Sequence, residues 1–347
     1  MASHRRLLPL VLLAPAAALV VRTPQLSASS PLLHHGSNAG QPTFVSASPR
    51  LHHTSNAPRR AVVSALLPPS TLALTILRGG GALPTVPALV AASFLPTCLG
   101  FWRSGYAVSY GYGGAMLAAG VLMLRSGSVG TLAAAHALAL CFYGARLNAF
   151  LLYRELSLPE AVHQMKRRDA SLGARLKRAP VVIGCSALYF CMAAPLRVTA
   201  RATALGPVGT AATAVAIALA FAGFGLAAVG DVWKTVVKAR KGANHLVISG
   251  PFARLRHPNY TGECFGWTAS FGAALVAAAC GGGGPDAAAW LVGSALGWAG
   301  ILFVLAGEAT AGLEKKQREK YGGRAPDYEY EAWLARTWAG PMMPGAA

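Results

Sequence analysis

Ser249 to Glu263 reads Ser-Gly-Pro-Phe-Ala-Arg-Leu-Arg-His-Pro-Asn-Tyr-Thr-Gly-Glu and runs directly into a long apolar segment. Within ten positions it gathers Arg254, Arg256, His257, Asn259, Tyr260 and Glu263, residue types that can hold an anion and carry a proton. Gly250-Pro251 and His257-Pro258 stiffen the stretch, because proline fixes its own φ and drives the residue before it out of the α region. Pro258 suits the first turn of a helix, which places Asn259 and Glu263 at i and i+4 on one face, with Tyr260 three residues before Glu263. A solvated basic loop leading into an ordinary helix would show the same proline pattern. Polar groups at the mouth of an apolar bundle are costly unless paired, however, and that favours a functional site.

Two other stretches carry candidates. In Thr131 to Tyr153, at about 100° per residue, His136, Tyr143 and Arg154 fall within about 20° of one another, with Arg146 about 60 to 80° round. Such a stripe must face protein or water. His136 also fits a satisfied core histidine, and Arg154 a side chain reaching to the interface. Further on, Asp231, Lys234 and Lys238 share a helical face at i, i+3 and i+7, and Gly242 is placed to end that helix. Asn244 to Ile248 then forms a short extended lead into the Ser249 stretch. Past residue 312, Glu314 and Arg318 are spaced to pair at i, i+4 on a helix of alternating charge.

The elements that position these residues follow from composition. The chain has 347 residues, 54% of them hydrophobic and only 12% charged, which indicates a membrane protein. Its net charge of +19 sits in loops between apolar runs rather than on an aromatic-interleaved basic face, and nucleic-acid binding is excluded on that ground. No metal site is expected from the six cysteines, which lie in or beside apolar segments without a C-x-x-C pair and read as small buried hydrophobes. The expected fold is all-α: a polytopic bundle of about seven transmembrane helices, at about 84–101, 107–124, 130–152, 180–198, 206–229, 263–281 and 287–311. With that count the basic loops 154–179 and 230–262 and the basic tail share one side, as the positive-inside rule requires.

The chain divides into a leader over 1–81 and a membrane domain over 82–347. Residues 1–22 resemble a secretory signal; 23–81 are rich in Ser, Pro and Arg, contain no Asp or Glu, and resemble a transit peptide. Together they suggest the bipartite leader of a plastid membrane protein, with another organellar or endomembrane destination as the alternative. Paired histidines at His34-His35 and His52-His53 belong to a near-duplication inside this leader.

Arg256-His257-Pro258-Asn259-Tyr260-Thr261-Gly262-Glu263, preceded by Ser249-Gly250-Pro251-Phe252, resembles the hallmark of the steroid 5-alpha-reductase C-terminal family. The resemblance spans about 143–344. It includes Tyr143-Gly144-Ala145-Arg146-Leu147 through Leu152-Tyr153-Arg154, and in the tail Glu314 with Lys316, Tyr321-Gly322, Tyr328, Arg336-Thr337 and Pro344. The wider superfamily contains sterol reductases together with isoprenylcysteine and phospholipid methyltransferases. The Asn259 and Glu263 combination is similar to the reductases.

What the resemblance implies is NADPH bound at the basic face and reduction of a carbon–carbon double bond in a lipid-like, steroid- or enone-type substrate arriving from the bilayer. The implied cofactor set is Arg146, Asp231, Lys238, Asn244, Arg254, Arg256, His257, Asn259, Tyr260, Glu263, Glu314 and Tyr328. Arginine suits such a ligand because its fork makes two parallel bonds to phosphate, and Arg256 is expected to hold an anionic part of the cofactor. The characterised steroid reductases use an acid and a tyrosine in their amino-terminal helices, whereas no acid precedes Glu155 here. Tyr143 is therefore the candidate catalytic proton donor, and steroid itself is not specified. Two other readings stay open: an S-adenosylmethionine-dependent methyltransferase of a lipid or prenylated acceptor, and a non-catalytic membrane scaffold.

Overall fold

A computed structural model describes residues 83–126, 129–157, 172–202, 204–281, 286–323 and 327–340. The leader with its paired histidines, the Lys166 to Arg168 cluster and Gly282 to Pro285 lie outside the described residues.

Helix starts are set largely by proline and hydroxyl groups. Thr85 caps α1 (Val86–Thr97), its Oγ1 accepting the Ala88 N–H at 3.3 Å, with Pro87 in the first turn. Two single turns, α2 (Leu99–Trp102) and α3 (Ser104–Ala107), lead into α4 (Tyr110–Arg125). Next come α5 (Thr131–Ser157), the short α6 (Leu172–Leu176) and α7 (Ala179–Arg201), which has Pro180 in its first turn. Helix α8 (Gly206–Lys241) is the longest and stops at Gly242, whose φ of 100° is open to glycine. Pro258 does open α9 (Pro258–Gly281), which is followed by α10 (Ala287–Leu302). A π-helical stretch over Phe303–Thr310 then widens the turn before α11 (Ala311–Tyr321) and α12 (Asp327–Arg336).

Among the described residues there are no named strands, and the fold is an all-α multi-pass bundle. Six helical stretches among the described residues are long and apolar enough to cross a membrane: Ser104–Arg125, Thr131–Ser157, Gly173–Arg201, Gly206–Lys241, Pro258–Gly281 and Ala287–Leu305. The expected first span is corrected. Val86–Trp102 is apolar but shorter than the others, because Pro96 has no N–H to donate and the helix halts at Thr97 before a new turn begins. Alternate crossing of the six keeps the segments after α5, after α8 and after α10 on one side, so the basic face stands without the first span. The cysteine expectation also needs adjusting. All six are free, but only Cys264 is fully buried, and Cys280 near the end of α9 is exposed.

Glycine lets the functional helices touch backbone to backbone. A Cβ at Gly223 of α8 would strike the backbone of Gly262 and Gly266 in α9, and one at Gly262 would strike Gly223 and Ala227. Gly113 of α4 and Gly144 of α5 meet in the same way. Deeper in the bundle, His136 is fully buried and bonds Thr199 Oγ1 through Nδ1 at 3.2 Å and Ser270 Oγ through Nε2 at 2.8 Å. Thr199 spends its own hydrogen on the carbonyls of Pro195 and Leu196, so Nδ1–H donates to it and Nε2 accepts from Ser270. His136 is thus the satisfied core histidine, tying α5, α7 and α9 together.

Helix α12 covers the approach to the Ser249 stretch. Tyr330, Trp333 and Leu334 pack on Leu246, Ile248 and Tyr321, and Trp333 Nε1 donates to the Phe252 carbonyl at 2.7 Å. Arg256 N–H donates to Trp338 O, and Trp338 N–H to Arg254 O, both at 2.9 Å. The stretch is therefore fixed from both sides: by its own prolines and by the carboxyl-terminal segment.

Candidate functional site

Three helices supply one buried polar network. Tyr143 and Arg146 lie a turn apart on α5, Asp231 sits on α8, and Asn259 and Glu263 lie a turn apart on α9. Tyr143, with no exposed surface, donates its hydroxyl to Glu263 Oε2 at 2.8 Å. Arg146 reaches both carboxylates, with Nη1 2.7 Å from Asp231 Oδ2 and Nη2 3.3 Å from Glu263 Oε1. Asn259 Nδ2 donates to Asp231 Oδ1 at 3.2 Å. The side chains of Arg146, Asp231 and Glu263 are only 8%, 12% and 8% exposed, so the guanidinium is what makes two neighbouring buried carboxylates tolerable.

Aromatic rings wall the inner end of this network. The Tyr143 ring lies 4.8 Å from Phe224, 5.1 Å from Trp267 and 5.1 Å from Tyr112, and the Arg146 guanidinium sits 4.9 Å above it. Tyr112 stacks on Tyr189, and its hydroxyl comes within 3.5 Å of Glu263 Oε2. Trp267 Nε1 is buried with no hydrogen-bond partner among the described residues, an orphaned donor beside the Tyr143 ring.

The outer end of the network opens into a cavity of about 560 Å³. Phe150, Tyr153, Arg154 and Ser157 of α5, Asp231, Lys234, Thr235 and Lys238 of α8, and Asn259 and Tyr260 of α9 line it, with Ala239, Ala243 and Leu313 closing the wall. Three cations, Arg154, Lys234 and Lys238, thus face a space whose one acid, Asp231, is already engaged by Arg146 and Asn259. The volume falls within the range typical of small-molecule and cofactor sites.

A second cluster holds the remaining charged candidates. Glu314 of α11 accepts from Arg256 Nη1 at 3.0 Å and pairs with His257 Nε2 at 2.6 Å. Burial alone would raise the Glu314 pKa, but the His257 hydrogen bond and the charges of His257 and Arg256 together hold it below the usual carboxylate range. Glu314 therefore does not pair with Arg318, because the tertiary fold offers it two closer partners.

The sequence candidates consequently separate into groups. Tyr143, Arg146, Asp231, Asn259 and Glu263 converge in the network, and Lys238 and Tyr260 line the cavity beside it. Arg256, His257 and Glu314 brace one another, with the Arg256 guanidinium on Glu314 and not on the cavity wall. Arg254 and Asn244 are exposed and line neither described cavity. Tyr328 stands in the first turn of α12, its side chain outside those described. Sequence reasoning missed Tyr112, Trp267, Phe150, Tyr153 and Thr235. Tyr153 could have been found from its place one residue before Arg154, whereas Tyr112 carries no signal in the glycine- and alanine-rich α4.

The family model described as "Protein of unknown function (DUF1295)" matches residues 107–337, more than half of the chain. Comparison with curated proteins and with solved structures returned no match.

Proposed function

Because the chain belongs to the family described as "Protein of unknown function (DUF1295)", its own site must supply the reading, and we propose a membrane-embedded, NADPH-dependent reductase of a carbon–carbon double bond in a lipid-like enone. The observation that carries this is the cavity lined by Arg154, Lys234 and Lys238 together with Asp231 and Asn259, backed by a buried tyrosine–carboxylate–arginine network. The resemblance to steroid 5-alpha-reductase-like membrane proteins supports the same reading.

The residues present fit such a cofactor. Arg154, Lys234 and Lys238 offer positive charge to phosphates, while Asp231 and Asn259 offer an acceptor and an amide to sugar hydroxyls or a carboxamide. Bound NADPH supplies the hydride. The chain supplies the rest. Tyr143 holds a proton on Oη in the apolar interior, and turning that O–H from Glu263 toward the substrate delivers it to the carbon next to the one receiving hydride. Glu263 and Arg146 fix the phenol's position, and Phe224, Tyr112 and Trp267 exclude water from it. In this reading Arg256, His257 and Glu314 keep the Ser249 stretch in shape and do not touch the cofactor. The hydrophobic substrate reaches the inner end from the bilayer, and the leader supports placement in a plastid membrane.

The test is thermal stabilisation of detergent-purified protein by NADPH, NADH and S-adenosylmethionine. NADPH at a hundred times its Kd should stabilise the fold by about 2.7 kcal/mol. Stabilisation by S-adenosylmethionine alone would replace the reductase with the methyltransferase, and stabilisation by none of them would leave the scaffold.

A further inference from the structure

Beside the large cavity lies a smaller pocket of about 160 Å³, and the two share Lys234, Lys238 and Leu313. Lys316 and Lys320 of α11 complete its charged wall, and no carboxylate lines it. The four lysines form two i, i+4 pairs, one on α8 and one on α11, that face each other across the pocket. Like charges at that spacing weaken a helix, and here the cost is incurred twice at one place. Lys238 Nζ donates to Ala243 O at 2.9 Å and Lys320 Nζ to the same oxygen at 3.3 Å, so two ammonium groups converge on a single carbonyl.

Elsewhere in the described residues several buried or half-buried cations are matched with acids, Arg146 with Asp231 and Glu263, Arg256 with Glu314, Arg103 with Glu155, while buried Arg197 instead donates to the Pro84 carbonyl and lies over the Trp290 ring. None of the four lysines forms an ion pair among the described residues. Four positive charges around a volume too small for a nucleotide, continuous with one that takes a cofactor-sized body, match a ligand with a terminal dianion. Lysine suits that task, since each ammonium turns three donors toward a tetrahedral group without imposing a planar fork.

We propose that the four-lysine pocket binds a phosphate monoester. Its assignment to NADPH rests on the reductase reading: there the pocket takes the 2′-phosphate and separates NADPH from NADH, with Lys316 and Lys320 as the specificity-determining residues. The same chemistry would recognise a phosphatidate headgroup, and the experiment tells the two sources apart.

Full-length protein in detergent is titrated with NADPH, NADH, adenosine 2′-monophosphate and short-chain phosphatidate. The variants are Lys316→Ala/Lys320→Ala and, as control, Lys315→Ala at an exposed neighbour. The double variant should lose ten- to a hundredfold in affinity for NADPH and adenosine 2′-monophosphate and keep that for NADH, with the control unchanged. Lys316→Gln/Lys320→Gln, which retains the aliphatic stems, replaces it if the alanine variant fails to fold. Lysine-dependent binding of phosphatidate by protein that ignores every nucleotide supports the pocket and removes the reductase. Equal loss of NADPH and NADH overturns the proposal, as does binding of the phosphate probes that is absent from the parent or unchanged in the double variant.

Discussion

Arg146 joins three helices through two carboxylates, and its worth lies in what its removal would leave behind. Arg146→Met would strand Asp231 and Glu263 as neighbouring buried charges, and breaking a pair of this kind costs about 3–5 kcal/mol. The variant should melt well below the parent in detergent, and an unchanged melting temperature would mean the network does not hold the helices. Glu314 makes a prediction about pH. Its folded pKa is depressed, so the stability it contributes is complete above the unfolded value of about 4.3 and is lost as pH falls through the folded value. Acid below about pH 4.3 should therefore loosen the Arg256–His257–Glu314 cluster, and Glu314→Gln should be less stable at neutral pH with a smaller acid-induced drop. Equal drops in parent and variant would assign the acid sensitivity to other carboxylates.

At the scale of elements, the site exists because α8 and α9 touch through glycine. Gly223→Ala would push a methyl into the Gly262 and Gly266 backbone, and overpacking of this sort costs about 1–3 kcal/mol. It should also separate Asp231 from Asn259 and weaken cofactor binding, whereas the same change at Gly225, which faces open space, should do neither. Comparison of melting temperature and nucleotide affinity for the two variants checks this. Such contacts also show why only part of the site could be read from sequence. The Asn259–Glu263 face was legible because Pro258 fixes where the helix starts, and the end of α8 because Gly242 follows it. Helical spacing paired Glu314 with Arg318, but the true partners lie more than fifty residues away, where no local rule reaches. The same blindness hid Tyr112 and the matching of Lys316 and Lys320 with Lys234 and Lys238.

For the whole molecule, apolar runs of spanning length made the bundle legible, since a bilayer demands about twenty such residues from any helix that crosses it. The exception was the proline-broken first run, in which length and composition pulled apart. Six alternating spans place the end of α8 and the start of α11 on one side. Lys241 and Lys315, both exposed, should accordingly be modified from the same side by a membrane-impermeant amine reagent. Labelling from opposite sides would dismantle the arrangement and, with it, the shared lysine pocket.

Helix α8 has 36 residues, about 54 Å at about 1.5 Å per residue, against a hydrocarbon core of about 30 Å. One uninterrupted rod therefore runs from lipid into water, with Asp231, Lys234 and Lys238 near its wet end. A rod that cannot shorten must change its tilt or slide when the bilayer changes thickness, standing more upright in a thicker one, and either movement shifts those charges relative to the lipid surface. In the proposed reading, the acyl-chain length of the surrounding lipid would then act on the site from outside the protein and without any ligand.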